Sequence, residues 1–583
     1  MKLAASFFIA CLFISLSQDA KAQQESNPKR EGPKREGPKR EGVITGRVSA
    51  DGRPVAGARV FVYSSAGKIG DTQMIASDGD GVFKATGLSP GAYSVLTLAP
   101  GYVAPSDSTG PRKHRIGEYV ALNLVKGGVI TGRVTDEFGE PVVGVRVAAQ
   151  KVRTPEGKPD FDSTMMNAAS AVRETDDRGV YRIFGLEPGV YVVSLNGLSF
   201  SGMSFAQSRS EPPIYHPSST RNAAAEVTVH SGGEAGGVDI RRRAMRGHSI
   251  SGAVTGATEG GGFVNAVVVR LTRAADREPV ATAALISEKN FNLRGVEDGE
   301  YDLAALRSDG ILEFSTSVPR RVVVKGADIS GIEVKLLKPG SIEGRVVIEP
   351  SKPSGACKSD DDFSIEEILL NARRDEKTPS LFAHLSSIAA MASVGGATPG
   401  DDGAFVLKNI ELGRVRIETD LPDENWYVRA ITQKSSTAPK PVDASQNAIA
   451  VKSGEKVSGL ELTIAEGAAS LKGKVVPANE NVKLSKRIRV HLIPAEVTAA
   501  NETLRYYEKL ANSDGSFDLR NLAPGRYLLH PRSAEEGESA ANPDRAVAWD
   551  ASERAKLRRE AEAAKNEIEL KPCQRVKDHV LRW

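Results

Sequence analysis

The chain is 583 residues long, with 77 Lys+Arg against 74 Asp+Glu and a net charge of +3. At roughly 100–200 residues per domain this length calls for several domains, and the near-zero balance excludes a dedicated nucleic-acid binder, which needs a strongly basic face. Hydrophobic residues at 40% exclude a wholly disordered chain, three cysteines exclude a disulfide framework, and 56 glycines with 31 prolines suit a turn-rich β protein.

At the N-terminus, Lys2 precedes an apolar run, Leu3 to Leu16, and the small-x-small triplet Ala20-Lys21-Ala22. This layout predicts a secretory signal peptide over 1–22, cleaved between Ala22 and Gln23; the apolar run is too short to span a bilayer. A lipid anchor at Cys11 is the rival reading, opposed by Phe8 and Ile9 before it and by the apolar run that continues after it. No later stretch approaches the ~18 apolar residues of a membrane helix. The expectation is an exported protein without a transmembrane span, in the periplasm, on the cell surface or outside the cell. Residues 28–42 repeat Pro-Lys-Arg-Glu-Gly three times, which predicts an extended, solvated tether over 23–42.

Beyond the tether the sequence repeats itself five times. Apolar-x-Gly-x-Val occurs at Ile44-Gly46-Val48, Ile130-Gly132-Val134, Ile250-Gly252-Val254, Ile342-Gly344-Val346 and Leu471-Gly473-Val475. Apolar residues at every second place describe a strand with one buried face, and a glycine on that face lets a backbone or a large side chain come close. A second pattern places an aromatic residue ten positions before a tyrosine: Phe83 and Tyr93, Tyr181 and Tyr191, Phe291 and Tyr301, Phe517 and Tyr527, with Phe405 and Val415 in the fourth copy. Asp-Gly turns precede most of the aromatics, at Asp78 to Gly81, Asp176 to Gly179, Asp401 to Gly403 and Asp514-Gly515. Pro90-Gly91, Pro188-Gly189 and Pro524-Gly525 predict type II turns before the tyrosine strands.

About seven short strands per copy predict an all-β protein, a tandem array of five Ig-like or prealbumin-like β-sandwich modules over 43–126, 127–246, 247–338, 339–466 and 467–583. Small helical insertions are expected in modules 4 and 5. Residues 363–394 carry one, and residues 550–567 carry the other, with an Asp550/Glu553 capping box and a stripe at Leu557, Ala561, Ala564 and Ile568. Short joints such as Lys126-Gly127-Gly128 and Lys338-Pro339-Gly340 predict a semi-rigid rod.

The run from the Asp-Gly turn to Pro-Gly-x-Tyr, preceded by the strand with its central glycine, resembles the carboxypeptidase regulatory-like domain. This is a prealbumin-like sandwich related to carbohydrate-binding-like and Cna B-type folds. The resemblance extends over nearly all of residues 43–535 and implies a secreted, non-catalytic accessory or interaction role. It also implies two chemistries that the residues do not support. The tyrosine strands offer no acid for a Lys–Asn isopeptide bond, and no histidine has glutamate three residues later, so a zinc peptidase site is absent.

No catalytic, cofactor-binding or metal site is predicted. The eight histidines are dispersed and expected mostly in loops, and the turn aspartates are read as hairpin makers in preference to calcium ligands. The repeated aromatics are read as core and corner residues in preference to a sugar-stacking strip. A glycan site, if present, belongs on loops 104–117 or 198–222 or around Trp426. Arg241 to Arg243 with Arg246 read as a solvated linker, with contact to an anionic envelope polymer as the alternative. Cys357 and Cys573, the two cysteines after the signal, are permitted to bridge in an oxidising compartment. The functions left in competition are a scaffold that binds glycan or envelope protein, a purely structural stalk, and an enzyme built on the helical insertions.

Overall fold

The computed structural model describes residues 42–66, 72–104, 113–155, 172–195, 211–256, 266–275, 279–286, 289–308, 314–349, 357, 364–375, 396–434, 440–479, 484–485, 487–512, 514–534 and 546–583. The signal region with Ala22 and Gln23, the tether up to residue 41, and parts of both predicted loop sites lie outside these residues. Strands make up nearly all the regular structure, and Ala551–Ala564 is the one α-helix among the described residues.

Five separate apolar cores follow one another along the chain. They contain Ile44, Phe83 and Tyr93; Ile130, Tyr181 and Tyr191; Ile250, Phe291 and Tyr301; Ile342, Phe405 and Val415; and Leu471, Phe517 and Tyr527. The protein is an all-β array of five sandwich modules. In module 1 the first strand, Ile44–Ala50, lies between the aromatic strand Val82–Ala85, antiparallel, and the closing strand Tyr119–Lys126, parallel. The second sheet is built on the tyrosine strand, Tyr93–Leu98, flanked by Arg59–Ser64 and Lys113–His114. The parallel closure recurs where Ile342 faces Val457 in module 4 and Leu471 faces Val576 in module 5. Module 3 departs from this plan. Its strand Phe314–Ser317 pairs with both Gly299–Ser308 and Ile329–Leu337, so its two sheets join at one side.

The first-strand glycines sit directly opposite the aromatics: Gly46 faces Phe83, Gly132 Tyr181, Gly252 Phe291, Gly344 Phe405 and Gly473 Phe517. A Cβ at any of the five would stand within 3.0 Å of both the aromatic ring or hydroxyl and a carbonyl oxygen of the parallel closing segment. The tip of the aromatic side chain therefore lies over the glycine and fills the space a side chain would take. Ten residues on, the tyrosine turns the corner. Its hydroxyl donates to the carbonyl four residues earlier: Tyr93 to Ser89 at 2.6 Å, Tyr191 to Glu187 at 2.8 Å, Tyr301 to Glu297 at 2.8 Å and Tyr527 to Ala523 at 2.6 Å. Module 4 fills this place with buried Val415, which brings the apolar contact without the hydroxyl.

Several expectations need correction. The Pro-Gly turns are not type II. Gly189 and Gly525 have φ of 155° and 154°, well away from the roughly +80° that such a turn requires. The left-handed residue lies four places earlier, at Gly87, Gly185, Gly295, Asn409 and Asn521, with φ between 55° and 74°. There an extra residue bulges the aromatic strand, as the register slips between Gly128 and Val129 and between Gly340 and Ile342 show. Glycine and asparagine are the residues that tolerate this conformation.

The described part of the predicted helix 363–394 is not helical. It forms a single 3-10 turn, Ile365–Glu367, and a strand, Leu369–Arg374. Ile368, Leu369 and Leu370 are all buried, which makes this a strand covered on both faces; periodicity alone cannot separate such a run from a helix. The module 5 helix does form. The Asp550 carboxylate accepts from the amides of Ser552 at 2.9 Å and Glu553 at 3.3 Å, while Leu557 and Ala561 pack on Ile493 and Leu528. Ala564 is exposed and Ile568 lies in the strand Glu567–Leu570, because Lys565 takes the left-handed conformation and ends the helix. The histidines are not mainly in loops either: His114, His248, His491, His530 and His579 stand on strands. Finally, contacts are not confined to sequence neighbours as a rod requires, since modules 1 and 4 touch.

Candidate functional site

Several of the residues that the sequence offered for chemistry take part in turns and joints of the fold. The Asp78 carboxylate accepts from the amides of Asp80 at 3.0 Å and Val82 at 2.8 Å, and Asp176 from those of Arg178 at 2.9 Å and Val180 at 2.8 Å. Asp402 and Asp514 accept in the same way from Ala404 and Ser516, at 2.9 and 3.0 Å. These bonds make each turn. The Val180 amide in particular holds Asp176 below the ordinary range. No cluster of three or more His, Cys, Asp or Glu that could hold a metal occurs among the described residues. Arg241 lies in a short strand beside Thr135 and Arg242 pairs with Glu211 at 3.8 Å, while Arg243 and Arg246 remain exposed.

Two of the three tryptophans, the natural candidates for stacking a sugar, join modules 4 and 5. Trp426 is half-buried against the module 4 core, and its carbonyl accepts from the Asn521 amide of module 5 at 2.8 Å. The Trp549 ring lies 5.7 Å from the Arg373 guanidinium and 5.5 Å from that of Arg416, across the same joint. Trp583 packs on the module 5 core.

This joint between modules 4 and 5 is the most elaborated place in the molecule. Arg416 is buried and paired with Asp375 at 2.8 Å, and its remaining donors reach the carbonyls of Ser445 and Gln446. Such a pair is tolerable out of water only because its donors are satisfied. The Thr503 hydroxyl of module 5 also donates to the Ser445 carbonyl, at 2.6 Å. Leu504 packs on the module 4 core, and Arg575 donates to the Ala468 carbonyl at 2.7 Å. Cys357 and Cys573 are joined by a disulfide, with sulfurs 2.05 Å apart, and the Cys573 amide donates to the Gly467 carbonyl at the joint itself.

Beneath the module 5 helix lies a polar cluster that sequence reasoning missed. His491 and His530 face each other across adjacent strands, with Glu508 3.6 Å from His491 and Glu560 of the helix 3.5 Å from His530. Burial first, then Arg489, His530 and Arg532, lower His491 to about 3, so its imidazole is neutral at ordinary pH. Isolated charged residues far apart in sequence give no signal of such a cluster. Among the described residues no helix is long and apolar enough to cross a membrane.

Residues 43–110 match the carboxypeptidase regulatory-like domain, so module 1 carries that domain. No curated protein matches the chain significantly. Among solved structures, the TIE protein of Bacillus anthracis is 15% identical, over 51% of this chain and 51% of its own, with a TM-score of 0.14. A minor pilin of Streptococcus agalactiae is 16% identical over 35% of this chain and 96% of its own, TM-score 0.20. The major pilin subunit of Bacillus cereus is 11% identical over 51% of this chain and 99% of its own, TM-score 0.13. The chain thus spans about half the length of the first of these and nearly all of the other two.

Proposed function

We propose that this chain is a non-catalytic, exported scaffold that binds carbohydrate or protein in the cell envelope or outside the cell. One observation carries the reading: the repeated glycines, aromatics and turn aspartates and all three tryptophans hold modules and joints together, which leaves variable loops for recognition. The apolar N-terminal run and the Cys357–Cys573 bridge support export, because such bridges persist outside the reducing cytosol. Removal of residues 1–22 would leave Gln23 first, and N-terminal sequencing of the exported protein tests that cleavage. The partners are glycans or envelope proteins rather than nucleic acid.

Recognition is tested with the mature chain on a glycan array and in a pull-down from envelope extract. The expected signal weakens when exposed loop residues such as Phe138, 82% accessible, are replaced by serine. It persists in Tyr93→Phe, which alters only a corner. A natively folded chain that captures neither class overturns the binding reading in favour of a purely structural stalk, for which the elaborate joint between modules 4 and 5 speaks.

A further inference from the structure

Modules 1 and 4 meet although two modules separate them in sequence. In the module 1 strand Tyr93–Leu98, Tyr93 and Val95 enter the core, so Ser94 lies on the opposite face; it is nevertheless fully buried. Beside it, Lys113 donates to the Ser94 hydroxyl at 2.9 Å. Arg115, 6% exposed, extends its Nε to the Glu367 carbonyl at 3.1 Å and its Nη2 to the Asp420 carboxylate at 3.3 Å, both in module 4. A Cβ on Gly396 of module 4 would stand 3.4 Å from the Ser65 carbonyl of module 1, which marks a second close approach. On the module 4 side Leu370 enters the core while Leu369, paired with Asp420, is buried outside it.

The chemistry of this contact differs from that between modules 4 and 5. The latter has Leu504 on the neighbouring core and a disulfide. The contact of modules 1 and 4 has a guanidinium, an ammonium, serines and a carboxylate beside the one buried Leu369, and no apolar cluster spans it among the described residues. Polar interfaces between domains resemble transient ones, and an ion pair with one half-exposed partner is screened by salt.

We infer that module 1 is a docking module whose partner is module 4, held by a charged clasp centred on Arg115 and Asp420 that ions can open. Opening exposes Lys113 and Arg115 on module 1 and the Asp420 carboxylate on module 4. The joint of modules 4 and 5 stays closed, because its hold does not depend on charge alone. Burial lowers the Lys113 ammonium pKa and nearby Asp420 partly restores it, in keeping with an amine enclosed at this contact.

The clasp is tested on the full mature chain by modification with phenylglyoxal, an arginine reagent, read by peptide mass spectrometry. Exposed Arg53 serves as the internal reference. At low salt Arg115 should react about tenfold or more slowly than Arg53, the factor expected when a charge-assisted hydrogen bond must first break. In about 1 M sodium chloride, where the screening length is only ~3 Å, the two rates should converge several-fold, and Asp420→Ala should produce the same convergence at low salt. Equal rates at low salt would show that module 1 does not dock. Slow modification of Arg115 under every condition would show that charge does not hold the contact. Should Asp420→Ala lose native tryptophan fluorescence, the salt series on the unaltered chain decides.

Discussion

Gly344→Ala puts the repeated glycine to a direct test. The added Cβ would stand 2.5 Å from the Leu460 carbonyl oxygen and 2.6 Å from the Phe405 Cζ, where ordinary contact begins near 3.4 Å. The ring can tilt, but the oxygen belongs to the parallel strand that closes the sheet, in register from Gly344–Leu460 through Ile348–Ile464. Relief therefore needs the two strands to part by about 1 Å, which weakens the adjacent ladder as well as the packing. Overpacking of this kind costs about 1–3 kcal/mol, and the backbone contact places Gly344→Ala near the upper end. Gly454→Ala is the comparison within the same module. That glycine has φ of 66° and nothing closer than 3.9 Å, so only the left-handed backbone is penalised, by about 1 kcal/mol.

The three tryptophans lie in modules 4 and 5, and Trp426 packs on the module 4 core itself. Denaturant unfolding followed by tryptophan fluorescence therefore reports these modules without signal from the other three. Phe405→Leu added to Gly344→Ala should recover only part of the loss, because the carbonyl contact remains. The reasoning is refuted if Gly344→Ala is no more costly than Gly454→Ala, or if Phe405→Leu restores it fully.

Tyr93→Phe, Tyr191→Phe and Tyr301→Phe should each lower the stability of their own module by about 1 kcal/mol, the usual net worth of one hydrogen bond, measurable by native-state hydrogen exchange. Tyr527→Phe should cost more, because its hydroxyl also accepts from the Arg505 Nε at 3.4 Å. Reduction of the Cys357–Cys573 bridge, which spans 216 residues, should destabilise modules 4 and 5 by roughly 2–5 kcal/mol in the same fluorescence assay; an unchanged midpoint under reductant argues against it. For His491 the folded pKa, about 3, lies below the unfolded value of 6.5. The unfolded chain then binds the extra proton between these values, so the stabilising contribution is complete above about pH 6.5 and is lost as pH falls toward 3, by up to roughly 1.4 kcal/mol per unit. His491→Phe should flatten that slope in fluorescence-monitored melts across the same range; an unaltered slope places the titration elsewhere.

The periodic features of this protein were open to reading from its sequence. Gly46, Phe83 and Tyr93 and their counterparts recur because the same local problem is solved repeatedly: a close strand approach and a ring to fill it five times, and a corner tied by a tyrosine hydroxyl four times. A local solution leaves its trace at fixed spacing. The left-handed bulge residue was legible on the same terms, as Gly, Gly, Gly, Asn and Asn before the apolar residue, while the Pro-Gly pair, a common type II signal, does not adopt that turn here. What spacing cannot convey is which face of an apolar run is covered twice, so Ile368 to Leu370 read as helix until the second layer was in place.

The contacts between modules were decided only by the tertiary structure. Arg115, Asp375, Arg416 and Asp420 are single residues without repeats, and each is paired with a partner 41 or 305 positions away. Burial and electrostatics depend on what the rest of the chain brings alongside, whereas strand geometry depends on neighbours a few residues distant. The amino-acid order thus determined five sandwiches one by one, and packing in three dimensions determined how module 4 came to hold both module 1 and module 5.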